Sequence, residues 1–324
     1  MERQELLRTI ASTKPADRKP ILTLANGDNT WLVSVPRPLD APGKAYYHIL
    51  QDPFLAGDAV EYSSWVLRIR HKHPGALGTL RAVEECISDV ESAAAGSKPD
   101  GEPWLDVVLV THVNSDHLHE PTLRTFPPST KVFGVEETIP LLKGMKHFDA
   151  VARVSDFVRG QAWPATPDLP PWLRVFRLRD ETGPYPRIHH AVVISSSSRD
   201  DDGGEAILYS PHGVRPDIVR AARSANPEAR VLAMLHPVDV AGIGASKTLG
   251  VPNGLKLERM LEPRYWIGTH DDTLSYSGIL SHFLGSEHFT MERGLEEEAK
   301  EKGGGIMRRP NYLKVGNGAS QILV

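Results

Sequence analysis

The sequence of 324 residues contains a single cysteine, Cys86, and has neither a long apolar run nor a block of basic residues. One cysteine excludes an intramolecular disulfide and a zinc–thiolate cluster, and it favours a reducing, intracellular setting. The net charge is −4, so the composition does not indicate binding to nucleic acid or to an anionic membrane. No apolar run is long enough to span a bilayer, and the charged stretch 1–19 lacks the apolar core of a signal peptide. We therefore expect a cytoplasmic protein that acts on a small-molecule substrate and binds neither nucleic acid nor membrane, with its oligomeric state left open.

Short β-branched and aliphatic runs are separated by turns rich in proline and glycine and by fewer amphipathic stretches, which predicts an α/β fold. In the longest amphipathic stretch, Leu80, Val83, Ile87 and Val90 recur at steps of three and four residues, so this helix should pack one face against a sheet. Ten strands are predicted, at Pro20–Leu24, Thr30–Val35, Tyr46–Gln51, Leu105–Thr111, Lys131–Gly134, Leu173–Leu178, Ala191–Ser196, Ala206–Tyr209, Val231–Leu235 and Tyr265–Gly268. Seven helices are predicted, at Ala76–Ala94, Pro121–Thr125, Val135–Lys143, Pro216–Ala225, Gly254–Leu261, Tyr276–Phe283 and Met291–Lys302.

The strongest chemical signal is the polar segment His112–His117, which directly follows a predicted apolar strand. The end of a rigid strand holds such a loop in place, and imidazole and carboxylate groups suit zinc or iron. Read alone, the segment has a second interpretation, in which Asp116 only caps the helix that begins near Leu118. His119 lies two residues beyond His117 and should point elsewhere if that helix forms.

Four other groups of polar residues follow or precede apolar strands in the same manner. They are Asp52-Pro53-Phe54-Leu55, the pair His189-His190, the segment Ser210-Pro211-His212 and the segment Gly268-Thr269-His270. In this order the five groups resemble the metallo-β-lactamase superfamily, whose signature is His-x-His-x-Asp-His after an apolar strand. The turn at Asp52 resembles the lactonase and phospholipase D-like branch of that superfamily.

The resemblance implies a four-layer αββα metallo-β-lactamase sandwich. It covers about Leu22 to Phe283, and we expect one domain over residues 1–324, with a core at about 20–285 and a C-terminal extension at 286–324. It also implies that the metal ligands are His112, Asp116, His117, His212, His270 and one of His189 and His190, between which the sequence does not decide. Asp52 is then a supporting residue beside the ligands.

Two residues depart from the superfamily pattern. Asn114 stands where the signature has a second histidine, and His212 stands where the family has an aspartate that bridges two metals. An amide oxygen is a weaker zinc donor than imidazole, and a neutral imidazole has one lone pair and so does not hold two cations. These changes predict one zinc ion rather than two, with iron or manganese as alternatives. Asp116, His117 and His270 keep the ligand types that the superfamily uses for its second metal. His212 either completes this set or joins His112 at the first metal.

The function that the resemblance implies is metal-dependent hydrolysis of a small-molecule ester, lactone, amide or phosphodiester by an activated water. Asp116 is the candidate general base, and the amide of Asn114 either donates to a developing oxyanion or serves the core. Two alternatives keep the fold, namely an iron-dependent oxidoreductase and a degenerate protein that binds a metal or ligand without turnover. Tyr62, Trp65 and Tyr185 lie in loops expected to overhang the site, where they either contact an apolar substrate or pack the loops.

Overall fold

The computed structural model describes residues 1–98, 103–179, 182–197, 203–244, 246–271 and 273–324. The chain divides into two compact units. The first unit comprises Met1–Arg153, Thr273–Gly278 and Val315–Val324, and the second comprises Val154–Asp272 and Ile279–Lys314. The organisation of the chain as one domain stays a prediction.

Helices and strands alternate along both units. The α-helices are α1 (Arg3–Ser12), α2 (Leu80–Ala93), α3 (Glu120–Leu123), α4 (Ile139–Gly144), α5 (Pro216–Ala225), α6 (Gly250–Leu261) and α7 (Met291–Glu301). The strands are β1 (Ile21–Leu24), β2 (Trp31–Pro36), β3 (Tyr46–Gln51), β4 (Asp58–Glu61), β5 (Leu67–His71), β6 (Val107–Val110), β7 (Val132–Gly134), β8 (Val151–Arg153), β9 (Ser155–Asp156), β10 (Leu173–Arg179), β11 (His190–Ser196), β12 (Glu205–Tyr209), β13 (Arg230–Leu235), β14 (Val240–Ile243), β15 (Ser246–Lys247), β16 (Tyr265–Ile267), β17 (Leu274–Ser277), β18 (Leu284–Glu287), β19 (Tyr312–Leu313) and β20 (Ser320–Ile322). Short 3-10 helices occur at Pro15–Asp17, Glu136–Thr138 and Ile279–Phe283.

The first unit is built on a seven-stranded mixed sheet in the order β20-β1-β2-β3-β6-β7-β8. The strands from β20 to β3 pair antiparallel, and those from β3 to β8 pair parallel. Every residue of β6 is buried, as expected for a parallel strand that is covered on both faces. Because β3 and β6 are parallel neighbours, the residues that follow them emerge at the same edge of the sheet. A small antiparallel sheet, β17-β5-β4, belongs to the same unit.

Helix α2 buries its apolar face in the core of the first unit. Thr79 caps its N-terminus by accepting a hydrogen bond from the amide of Ala82, and Val83, Cys86 and Ile87 pack with side chains of the sheet. Complete burial of a valine or isoleucine stabilises the fold by about 1.5–3 kcal/mol. Burial also raises the pKa of the Cys86 thiol, so this cysteine acts as a small apolar side chain.

The second unit contains a separate seven-stranded sheet in the order β19-β16-β13-β12-β11-β10-β9. Strands β19, β16, β13 and β12 pair parallel, and β12, β11 and β10 pair antiparallel. Helices α5 and α6 pack on this sheet around Trp266, which is fully buried. A small sheet, β15-β14-β18, completes the unit. The carboxyl ends of β12, β13 and β16 lie at one edge because the three strands are parallel.

The ten predicted strands and six of the seven predicted helices are confirmed. The helix predicted at Tyr276–Phe283 is found only at Ile279–Phe283, as a 3-10 helix, and it is wrong at its start because Leu274–Ser277 forms β17 and pairs antiparallel with β5. Gly278 has φ 102°, which lies outside the helical range, so the helix does not extend back through it. A side chain at this position would place its Cβ within 2.7 Å of the carbonyl oxygen of Val66. Among the described residues, no helix is long and apolar enough to cross a membrane.

Candidate metal centre

In the first unit, the loop after β6 carries the strongest ligand motif, and we refer to residues 111–119 as the metal loop. The amide of Asp52, which follows β3, donates to the carbonyl of Leu109 in β6 at 2.8 Å. The backbone at Asp52 is left-handed, with φ 46°, so the chain turns sharply after β3. Two adjacent strand ends thus place Asp52 beside the metal loop.

The carboxylate of Asp52 is fully buried and is the centre of the hydrogen bonding at this edge. Its Oδ1 accepts the amide of Thr111 at 2.7 Å, and its Oδ2 accepts the Thr111 hydroxyl at 2.6 Å. Oδ2 also lies 2.8 Å from Nδ1 of His117. A carboxylate only accepts, so Nδ1 of His117 carries the proton, and Nε2 is the nitrogen that a metal would take. This carboxylate–histidine arrangement is the usual support for a ligating imidazole.

His112 has the same tautomer for a related reason. Its Nδ1 lies 2.8 Å from the hydroxyl of Thr111, whose single proton goes to Asp52. The Thr111 oxygen must therefore accept from Nδ1 of His112, which again assigns Nε2 to a ligand. The rings of His112 and His117 lie 4.7 Å apart between centroids, and both side chains are buried.

Asp116 completes the predicted ligand set of the first unit. Its Oδ2 lies 3.9 Å from Nε2 of His117. Two ligand atoms that each bind one zinc ion at about 2.1 Å are separated by at most about 4.2 Å. The observed distance satisfies this limit, so the imidazole of His117 and the carboxylate of Asp116 suit one metal ion. The residues of the metal loop therefore fit a metal ion.

Asn114 shapes the metal loop through its backbone. Its carbonyl accepts the amides of His117 at 2.9 Å and of Leu118 at 2.8 Å, which forms the turn that presents Asp116. The side chain of Asn114 is half-buried. His119 follows the turn and caps α3, with Nδ1 at 2.8 Å from the Thr122 hydroxyl and Nε2 at 3.2 Å from the carbonyl of Asp58.

A buried polar loop between β1 and β2, at residues 25–30, supports the metal loop and was missed by sequence reasoning. Asn29 donates through Nδ2 to the carbonyl of Asp116 at 3.1 Å, and Thr30 donates to the carbonyl of Asp52 at 2.7 Å. Asn26 donates to the carbonyl of Phe54 at 3.0 Å. Residues 26–30 are turn-forming types that are typical of a solvated hairpin, and the length of this run without an apolar residue is its one sequence signal of another role. Its partners are far away in sequence.

In the second unit, His189 and His190 differ in their surroundings. Nε2 of His189 lies 2.7 Å from the carbonyl of Lys247, and since a carbonyl only accepts, this nitrogen carries a proton. Burial lowers the pKa of His189, so the neutral form with the proton on Nε2 is favoured. His190 is the first residue of β11 and is 1% exposed.

His212 and His270 lie beyond the carboxyl ends of β12 and β16. Their rings are 5.2 Å apart between centroids and meet edge to face. The carbonyl of His212 accepts the amide of Leu249 at 3.0 Å, which fixes the loop after β12. His270 has a left-handed backbone, with φ 61°, a conformation that non-glycine residues adopt only where the surroundings impose it.

The loop that carries His270 is held by the next residue, Asp271. Its Oδ1 accepts the amides of Val238 and Asp239 at 2.8 and 2.9 Å. Burial raises the pKa of Asp271 to about 7, because the charged form is poorly solvated there. His236, at the end of β13, lies 2.9 Å from Oδ1 of Asn253 through Nε2 and is fully buried, which is consistent with a structural role.

Comparison with known proteins places the fold. No family model and no curated protein matches the chain. Among solved structures, an isothiocyanate hydrolase from Delia radicum gut bacteria is 15% identical, with a TM-score of 0.54 over 94% of this chain and 99% of that chain. Igni18, a metallo hydrolase from Ignicoccus hospitalis KIN4/I, is 13% identical, with a TM-score of 0.51 over 94% and 97% of the two chains.

The diiron β-hydroxylase CmlA from Streptomyces venezuelae is also similar, at 13% identity and a TM-score of 0.53, and the match covers 94% of this chain but 54% of CmlA. At identities this low, the structural similarity establishes the fold and leaves the activity open. The chain has the fold of the metallo-β-lactamase superfamily.

Proposed function

We propose that this protein is a metal-dependent hydrolase that cleaves an ester, lactone, amide or phosphodiester bond in a small molecule. The observation that carries the proposal is the arrangement around Asp52, which leaves Nε2 of His117 and the carboxylate of Asp116 as neighbouring metal donors 3.9 Å apart. Structures with the same fold that are described as a metallo hydrolase and an isothiocyanate hydrolase support it. A buried carboxylate–histidine pair beside a second acidic residue is typical of a hydrolytic metal site.

The proposed ligands follow the order of the sequence resemblance and the geometry within each unit. In the pair His189-His190, the bond from Nε2 of His189 to the carbonyl of Lys247 leaves Nδ1 of that ring as its metal donor, so both residues stay candidates. The candidate ligands are His112, Asp116 and His117 in the first unit and His212, His270 and one of His189 and His190 in the second. We propose that the protein binds one zinc ion through about three or four side chains, among them Asp116 and His117, because Asn114 and His212 replace an imidazole and a bridging carboxylate of the two-metal pattern.

A bound metal supplies a water of lowered pKa and polarises a carbonyl or phosphoryl group. The protein's own residues then do the rest of the work. Asp116 orients the attacking water and accepts its proton, and the Asp52–His117 pair keeps the imidazole in one tautomer. Asn114 stands in the same loop as a candidate donor to the negative charge that develops on the substrate.

Metal analysis of the purified protein, combined with a substrate screen, tests this function. We expect about one zinc per chain and turnover of at least one ester, lactone, amide, phosphodiester or isothiocyanate. His117→Ala should abolish both the bound metal and the turnover, whereas His73→Ala, a change at an exposed histidine of the same unit, should leave both unchanged. Two equivalents of metal would contradict the single-ion proposal, and metal-bound protein without any hydrolysis would contradict the hydrolase.

An iron-dependent oxidoreductase is the second candidate, because imidazole and carboxylate donors also suit iron and a diiron hydroxylase shares the fold. It predicts iron in the purified protein, a coloured or paramagnetic centre and iron-dependent uptake of oxygen. This candidate is excluded if the purified protein contains zinc, hydrolyses a substrate and takes up no oxygen. We propose no nucleic-acid or membrane partner.

A further inference from the structure

The hairpin formed by β4, β5 and residues 62–66, which we call the aromatic hairpin, is bonded directly to the metal loop. Glu61, the last residue of β4, accepts the amide of Ser115 through Oε1 at 2.6 Å. Ser115 lies between Asn114 and Asp116, so the bond holds the middle of the metal loop. Both segments belong to the first unit.

This bond complements the other anchors of the metal loop. Asp52 holds the loop at Thr111 and at the ring of His117, and Asn29 holds it at the carbonyl of Asp116. The contact from Glu61 is the anchor at Ser115, and a carboxylate acceptor makes it about twice as strong as a bond between neutral groups. Removing it would leave the turn before Asp116 less constrained.

The aromatic hairpin exposes two large rings immediately after Glu61. The side chain of Tyr62 is 90% exposed and that of Trp65 is 66% exposed. The backbone of Tyr62 is left-handed, with φ 65°, a conformation that costs about 1–2 kcal/mol in a non-glycine residue. Such strain beside exposed aromatic surface indicates a binding role rather than a packing role.

The base of the hairpin is firmly held, so its tip is a defined element. Asp58 and Arg70 form a double hydrogen bond at 2.7 and 2.8 Å across β4 and β5, and β5 pairs with β17 on its other edge. The rigid base and the bond to Ser115 together fix where Tyr62 and Trp65 stand relative to the metal loop.

We propose that Glu61 is a positioning residue that fixes the metal loop against the aromatic hairpin, and that Tyr62 and Trp65 contact an apolar or aromatic part of the substrate. The proposal rests on the proposed function and names its substrate class, a small molecule with a hydrophobic substituent near the bond that is cleaved. It assigns the hairpin to substrate selection and the metal loop to the chemistry.

The role of Glu61 is tested by zinc affinity, which does not require turnover. Glu61→Ala and Glu61→Asp should each weaken zinc binding about 10-fold, since residues that orient ligands contribute about 10–100-fold to metal affinity. The aspartate is too short by one methylene to reach Ser115. Glu61→Gln keeps an oxygen acceptor at the same reach, so it should restore the affinity to within about threefold of the wild type. Glu85→Ala, which removes an exposed carboxylate on α2 of the same unit, is the control and should leave zinc affinity unchanged.

Affinity is measured in competition with a chromophoric chelator, and circular dichroism checks that each variant is folded. If the wild type binds zinc and both Glu61→Ala and Glu61→Asp bind it with the same affinity as the wild type, the role of Glu61 is overturned. The proposed function would then stay intact. Wild-type protein that binds no metal would overturn the proposed function and this proposal together.

The role of the rings is tested by a split between KM and kcat. For the substrate class found in the screen, Tyr62→Ala and Trp65→Ala should each raise KM about 10-fold for an aromatic member, which corresponds to about 1.4 kcal/mol of lost binding. The value of kcat and the zinc affinity should stay unchanged, and a methyl member of the class should show no KM effect. Leu39→Ala, at an exposed apolar residue of the same unit, is the control. Equal KM values for wild type and both ring variants would overturn the assignment of the hairpin to substrate binding.

Discussion

Two buried histidine–carboxylate pairs lie in the first unit, and we assign one to structure and the other to metal binding. Nε2 of His48 lies 2.8 Å from Oε1 of Glu91, and Nδ1 of His117 lies 2.8 Å from Oδ2 of Asp52. All four side chains are fully buried. The chemistry of the two pairs is the same, and the difference lies in what stands at the other nitrogen of each ring.

The pair His48–Glu91 is a closed network. The second nitrogen of His48 lies 2.9 Å from the hydroxyl of Ser34, and Glu91 also accepts the amides of Ala45 and Tyr46 at 2.6 and 2.9 Å. The order Ser34, His48, Glu91 imitates a nucleophilic triad, but Ser34 is 2% exposed and no substrate reaches it. In the pair His117–Asp52, by contrast, the second nitrogen faces the carboxylate of Asp116. Whether a buried pair is structural or supports a metal ligand thus depends on the group beside the second nitrogen of the histidine.

Removal of Glu91 should produce the largest effect and only on stability. Glu91→Ala leaves His48 and two backbone amides without their acceptor, so we expect a loss of about 3–5 kcal/mol in the free energy of unfolding. Denaturant unfolding of wild type and variant measures the loss. Zinc affinity of the folded variant should equal that of the wild type, and a drop in affinity would show that the two pairs are coupled.

Removal of the charge on Asp52 should give the next largest effect, on metal binding. Asp52→Asn keeps the size but places an NH2 group, which only donates, against a donor of Thr111, so zinc affinity should fall about 10–100-fold. Chelator competition measures the fall, and Glu91→Gln serves as the control at the closed pair. Equal affinities in Asp52→Asn and the wild type would remove the distinction that we draw between the pairs.

Acid should weaken the closed pair first through Glu91. Burial by itself raises the pKa of Glu91, but the hydrogen bonds from His48, Ala45 and Tyr46 outweigh it and hold the pKa below its ordinary value. A carboxyl with a lowered folded-state pKa stabilises the fold above its unfolded pKa, about 4.3, and loses that contribution as the pH falls. Urea unfolding from about pH 6 down to about pH 3, across and below that unfolded pKa, should therefore show a steeper loss of stability for the wild type than for Glu91→Gln. Parallel curves for the two proteins would contradict this.

The smallest effect is expected at Ser34. Ser34→Ala removes one hydrogen bond from His48 and should cost about 1 kcal/mol of unfolding free energy, without any change in hydrolysis or zinc content. Denaturant unfolding and the substrate screen measure the two quantities. If Ser34→Ala is stably folded but no longer hydrolyses the substrate, Ser34, His48 and Glu91 would be a catalytic triad.

Much of the fold was predictable because its signals are local in the chain. Each buried strand is a short apolar run, and the amphipathic spacing of α2 predicted the residues that it buries. The start of the helix predicted at Tyr276–Phe283 was wrong because β17 is stabilised by pairing with β5, about 200 residues earlier in the chain. The hairpin β4-β5 was missed because its strands are short and carry charged residues, and they are stabilised by pairing with each other and with β17.

The types of the proposed ligands were likewise visible in the sequence, and their protonation was not. The proton on Nδ1 of His112 follows from Thr111, whose hydroxyl proton goes to Asp52, and Asp52 is 59 residues away from Thr111. The proton on Nε2 of His189 likewise depends on the carbonyl of Lys247, 58 residues from His189. No local pattern encodes such partners.

By itself, the sequence determined ten of the strands and the polar residues at their ends, because burial and polarity are properties of short segments. The tertiary structure decided the tautomers of the histidines, the burial of the loop at residues 25–30, the bond between Glu61 and Ser115 and the contrast between the two pairs. These features depend on hydrogen bonds between residues that are distant in the chain, and such bonds exist only once the strands are in register.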